Sequence, residues 1–208
     1  MDSAGMTRTA RRAAATQQAI VDAAESLVLA HGADALTLEA VAEQADVAVQ
    51  TIYNRIGGRS ALLIAVAERA LEQNRQYMDD AYAAPGSPRA RILRAAEAYA
   101  RFAAERPHQF RLLIDPPNEP RALARVADLI EEQNTKLAAA LSDGLADGTI
   151  DPNLDPELTS TALWAAMNGV LALNWRADRL RAEGHRMELL LATVIGLLDR
   201  GISPGNGD

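Results

Sequence analysis

Gln50, Thr51, Tyr53 and Asn54 crowd hydrogen-bonding side chains into five residues, with Arg59 five positions further on. A Gln amide can pair adenine through two hydrogen bonds and a Thr methyl can touch that of thymine. Gln50 and Thr51 are therefore candidates for base edges, with Val49 on the same surface. Tyr53, Asn54 and Arg59 suit phosphate oxygens. Thr37 stands at the expected start of a helix, where unpaired backbone N–H groups welcome an anion. Arg8, Arg11 and Arg12 form the densest local cluster of positive charge. The chemistry on offer is recognition of a polyanion. Catalysis has far less to draw on. His31, His108 and His185 are scattered, no His-x-x-x-His pair occurs, and there is neither a glycine-rich phosphate loop nor any cysteine. A helical enzyme is accordingly the weakest reading, and neither a metal nor a cofactor is expected.

These residues need elements to hold them. Ile20, Ala24, Leu27 and His31 recur at helical spacing and Gly32 stops the run, which predicts a first helix over about 16–31. Residues 1–15 lack apolar periodicity and read as a flexible basic arm. Thr37 is a good cap for a short helix over 38–44 with Leu38, Val41 and Ala42 inward. After a break at 45–47 comes a third helix over about 48–54, ended by Gly57-Gly58. Small residues at the crossing, an apolar Val47 after the turn and polar residues facing out are what a helix-turn-helix requires of its reading helix. Spacing alone fits a solvated helix pair in a bundle equally well.

Further along, Ser60 opens a helix to about Tyr82, and Ser87-Pro88 begins another. Pro107 starts a short one to Ile114. Long helices are expected over 119–146, from Asp155 to about 180, and over 186–200. Alanine contributes 43 of 208 residues and aromatics only 4%, which favours helix over strand. The expectation is an all-α chain. Its formal net charge is −7 and neither part is basic, so bulk charge does not announce nucleic acid and any such binding rests on local groups. No apolar run is long enough to span a membrane and none has the layout of a secretory signal, which makes a cytoplasmic protein the expectation.

The run Ile20-x-x-Ala-Ala-x-x-Leu, His31-Gly32, Leu36-Thr37-Leu38-x-x-Val41-Ala42, Val47 and Thr51-Ile52-Tyr53 with Arg59-x-x-Leu62-Leu63 resembles the N-terminal domain of the tetracycline-repressor (TetR) family. The resemblance implies a three-helix DNA-binding head, a palindromic operator, and a larger helical domain for ligand binding and dimerisation. It also implies repression relieved by a small-molecule effector. Four positions depart from the family pattern. Asp46 replaces the turn Gly, Ala48 a capping Ser, Ile56 an aromatic, and Arg59 a Lys. The missing cap costs about 1 kcal/mol.

Two later fragments are similar to one TetR C-terminal subgroup: the Phe102 to Leu113 stretch containing Pro107, His108 and Phe110, and Leu163-Trp164-x-x-Met167-Asn168-Gly169. Asn74, Asn134 and Asn168 interrupt apolar helix stripes, as pocket-wall residues do. Each also fits an ordinary buried side chain that caps a neighbour. With Met78, Tyr82, Tyr99, Phe102, His108, Phe110, Trp164, Met167 and Trp175 they favour an apolar or aromatic effector. Ala165, Gly169 and Ala172 form a small-residue ridge, and the last helix carries Leu190, Val194, Gly196 and Leu197. Those two helices could meet their copies in a four-helix dimer interface.

The domain expectation is an arm over 1–15, a head over 16–58, a ligand-binding and dimerisation domain over 59–202, and a disordered tail over 203–208. The functional expectation is a dimeric, effector-released repressor. The alternative is a family member whose altered head serves protein contacts.

Overall fold

Caps and helix breakers divide the chain. The computed structural model describes residues 7–116, 118 and 120–205, and every regular element among them is helical. In order these are α1 (Arg8–His31), α2 (Leu38–Gln44), α3 (Val49–Arg55), α4 (Arg59–Ala83), α5 (Pro88–Glu105), α6 (Pro107–Ile114), α7 (Pro120–Ala146), α8 (Pro156–Leu171) and α9 (Gly184–Ile202). Short 3₁₀ turns cover Ala33–Ala35 and Ala172–Trp175. Thr37 Oγ1 accepts the Ala40 amide at 3.1 Å to start α2, and Asp155 Oδ1 accepts that of Leu158 at 2.8 Å to start α8. Ser87 does the same for α5, with Pro88 at the first helical position.

Two sequence expectations fail locally. The first six residues of the expected arm lie outside the described residues, but 8–15 are helical rather than flexible. Thr7 Oγ1 accepts from the Ala10 amide at 3.2 Å and caps them. Alanine and arginine are strong helix formers, and a segment in which only Ala10 and Ala13 are even half-buried has no large apolar stripe to betray it. At the other end α8 stops at Leu171, well short of 180, and tightens into the second 3₁₀ turn. Asp178 Oδ1 accepts from the Leu180 amide at 3.0 Å and its carboxylate pairs with Arg176, a local turn that competes with helix. That pairing and amide hold the Asp178 carboxyl down at about 2.

The chain divides into two compact units, one of residues 1–71 with 106–128 and one of 72–105 with 129–208. This division does not follow the expected boundary at residue 58, because α6 and the start of α7 group with the N-terminal helices. The reason is packing. In the first unit α1 packs against α2, α3 and α6. Ile20, Ala24, Val28, Leu36, Val41, Ile52, Leu62 and Phe110 are buried there. Gln109 Nε2, on α6, donates to Glu25 on α1 at 2.7 Å, and Arg69 of α4 reaches Asp22 and Glu25 at 2.7 and 3.0 Å. In the second unit α8 packs on α9, and both pack on α5. Ile92, Leu141, Ile150, Leu163 and Ile202 form its main cluster. Gly144 is needed there, because a Cβ at that position would lie 2.4 Å from Ile150 Cδ1. Of the expected tail, residues 203–205 follow α9 and 206–208 lie outside the described residues.

Candidate nucleic-acid interface and effector residues

The turn between α2 and α3 forms without its usual glycine. Asp46 takes φ 52°, the left-handed region that favours glycine. The Val47 amide donates to the Ala42 carbonyl at 3.0 Å and the Asp46 amide to that of Glu43 at 3.3 Å. This nested pair is a Schellman motif, which satisfies the last carbonyls of α2 and reverses the chain. Ala48 gives α3 no side-chain cap. Only the backbone closes its first turn, with the Thr51 amide donating to the Ala48 carbonyl at 2.8 Å.

Ile52 anchors α3 and is wholly buried. Around it Gln50, Tyr53 and Asn54 are exposed, while Val49 and Thr51 are half-buried. Gln50 Nε2 donates to Asn54 Oδ1 at 3.1 Å, so the two amides occupy each other. Arg55, exposed in the last turn of α3, was not among the sequence candidates. Its position four residues after Thr51 was the available signal. Arg8, Arg11 and Arg12 are exposed at i, i+3 and i+4 on α1, a basic helical face rather than a loose arm. Thr37 spends its oxygen on the α2 cap, which leaves its hydroxyl hydrogen as a donor.

Arg59 departs from expectation. Its guanidinium is half-buried and donates to two backbone carbonyls, Leu36 and Ala33, at 2.8 and 3.0 Å. It is engaged with protein, not turned outward to a phosphate.

The twelve expected effector residues do not stay together. His108 and Phe110 fall in the first unit. His108 Nδ1 lies 3.8 Å from where a Cβ on Gly32 would sit, beside the end of α1, and Phe110 is wholly buried. The other ten belong to the second unit. There the Tyr99 hydroxyl donates to Asn168 Oδ1 at 2.8 Å and is also hydrogen-bonded to Trp164. Burial pushes the Tyr99 phenol well above its usual range, and those two bonds only partly offset it. Burial likewise raises Tyr82. Met78 and Tyr82 pack with Ala81, Ala95 and Ala98, and Phe102 meets Tyr77 edge to face at 5.6 Å. Tyr77 was missed, although it follows Asn74 by one helical turn. Asn74 is buried and its Oδ1 has no hydrogen-bond partner. Met167 is buried, whereas Asn134 and Trp175 are half-buried. Among the described residues no cluster of histidine and acidic side chains could hold a metal, and no helix is long and apolar enough to cross a membrane.

The expected dimer residues lie on α8, on the 3₁₀ turn that follows it and on α9, in the second unit. Ala165, Gly169 and Ala172 are exposed, and so are Leu158 and Ala162 at the same heptad spacing. On α9, Leu197 and Leu189 are each 56% exposed, with Leu190, Val194 and Gly196 half-buried.

Comparison with known proteins agrees with this geometry. Residues 20–66 match the model of bacterial regulatory proteins of the tetR family. Residues 92–198 match the tetracyclin repressor-like C-terminal domain. No curated protein matches the chain. Among solved structures, a protein from Rhodococcus sp. RHA1 is similar at TM-score 0.75 and 23% identity, covering 90% of this chain and 95% of that one. The regulator FadR from Bacillus subtilis, solved with stearoyl-CoA, gives TM-score 0.71 at 18% identity, covering 89% and 98%. The ketosteroid regulator KstR2 of Mycobacterium tuberculosis gives 0.61 at 15%, covering 97% and 99%. At these identities the structures speak for the fold alone. The two family models together take in most of the sequence, and the chain belongs to the TetR family of DNA-binding transcriptional regulators.

Proposed function

We propose that the protein is a dimeric repressor which reads a palindromic operator through α3 and leaves it when an apolar effector enters the second unit. The observation that carries the reading is the exposed row of Gln50, Tyr53 and Asn54 on a helix pinned by buried Ile52. Gln50 and Thr51 face bases, while Tyr53, Asn54, Thr37 and the basic face of α1 meet phosphates. The Schellman turn forms with Asp46 in place, which supports a working head over one given to protein contacts. Two heads joined through α8 and α9 would reach half-sites one DNA turn apart, roughly 34–36 Å. For the effector, the aromatic and apolar set around Tyr77, Met78 and Phe102 favours a hydrophobic body. Stearoyl-CoA on one structural relative and the ketosteroid regulation named for another fit the same chemistry.

The test uses the DNA upstream of the chain's own gene in an anisotropy titration, with and without stearoyl-CoA and a steroid. Repression by release requires affinity to fall with an effector that binds, because only differential affinity for the two states moves the equilibrium. Gln50→Ala should relax sequence preference while Tyr53→Phe weakens all duplexes alike. Equal binding of every sequence by the parent protein overturns the reading role of α3.

A further inference from the structure

The guanidinium of Arg59, an expected DNA contact, is engaged by the fold itself. Its Nε donates to the Leu36 carbonyl at 2.8 Å and its Nη2 to the Ala33 carbonyl at 3.0 Å. The two acceptors are the first residue of the Ala33–Ala35 turn and the residue that follows it, in the link between α1 and α2. Helix and turn ends leave carbonyls exposed, and a planar fork of N–H groups suits two of them at once. An ammonium is a point charge and has no such fork. Leu36, whose carbonyl is held, is itself wholly buried. The next residue is Thr37, which caps α2 and stands where the backbone of DNA is expected to meet that helix. Arg59 is also the first residue of α4.

We infer that Arg59 is a positioning residue for DNA binding: it fixes the Leu36–Thr37 junction, and so the first turn of α2, against the start of α4, and neutralises no phosphate. The inference rests on the proposed role of Thr37 and the α2 N-terminus at the DNA backbone. It makes two predictions that a phosphate contact reverses. Keeping the charge without the fork should not rescue binding. Losing the charge should leave the salt dependence alone, because that slope counts phosphates neutralised by cations and not backbone positioning.

The experiment uses the full chain and a duplex that it enriches from a random library. Affinity is measured across a salt series for the parent, Arg59→Lys and Arg59→Gln, and amide hydrogen exchange is followed in the same samples. Both variants should bind about 10-fold more weakly, the equivalent of about one net hydrogen bond, with the log–log slope unchanged. Exchange at Ala40 and Val41 should quicken in both, while α5 and α8 exchange at the parental rate. Parental affinity in Arg59→Lys, or a slope in Arg59→Gln reduced by about 0.9 per half-site, makes Arg59 a phosphate contact and overturns the inference. Should Arg59→Gln unfold, Arg59→Lys decides alone. Should the parent enrich no duplex, the proposed operator reading fails separately, and unchanged exchange in Arg59→Lys still overturns the clamp.

Discussion

Asp46 keeps a left-handed backbone at φ 52° that glycine would adopt without a side-chain penalty. Aspartate tolerates this region better than most residues, so the strain is modest and the Schellman bonds still close. Asp46→Gly should raise stability by about 0.5–1 kcal/mol, read as an increased midpoint in urea. A lower midpoint would mean that the Asp46 carboxylate contributes something beyond its backbone. Asn74 poses the opposite problem. Its buried Oδ1 lacks a partner, and an unsatisfied buried acceptor costs about 1–3 kcal/mol. Asn74→Leu should therefore raise the melting temperature. If the residue serves an effector with a hydroxyl or N–H to donate, the same change should weaken that effector's binding by calorimetry. A variant that melts lower would mark Asn74 as an ordinary structural group.

Among the elements, α2 and α6 were legible to the residue, because Thr37 and Pro107 announce their starts and the Pro116-Pro117 pair in the sequence the end of α6. The polar surface of α3 was legible too, since its buried face shows in Ile52. What the sequence hid was of two kinds. The start of α1 and the end of α8 depend on exposed residues, where apolar periodicity is silent and local caps or turns decide. The role of Arg59 and the grouping of His108 and Phe110 with α1 depend on contacts far apart in sequence, which spacing does not encode. A guanidinium at a helix start reads alike whether it faces a phosphate or two carbonyls. The helical state of residues 8–15 changes what they do. Arg8, Arg11 and Arg12 sit on one face of a capped helix, a preformed set of cations rather than a tail that must order on binding. Removing residues 1–12 should lower the log–log salt slope of operator binding by about 0.9 for each phosphate that these arginines neutralise. An unchanged slope would remove all three arginines from the interface.

At the scale of the whole molecule, the second unit leaves Leu158, Leu189 and Leu197 exposed beside a ridge of alanine and glycine. A Cβ added at Gly169 would meet nothing within 4 Å in the single chain. Gly169→Leu should thus fold with parental stability and yet sediment as a monomer, because small residues are what let two helices approach closely. A Gly169→Leu protein that remains a dimer would move the interface elsewhere. The proposed pairing residues on α8 and α9 and the proposed reading residues on α3 belong to different units of the chain, which has a genetic consequence. On the proposed dimer, a chain defective only in α3 would still carry its pairing residues. Made alongside the normal protein, it would draw normal chains into mixed pairs with a single competent head, and the defect would be dominant. A chain altered at Gly169 could not enter such pairs, so its loss would be recessive, and the two classes of allele could be told apart in merodiploid cells by a reporter alone.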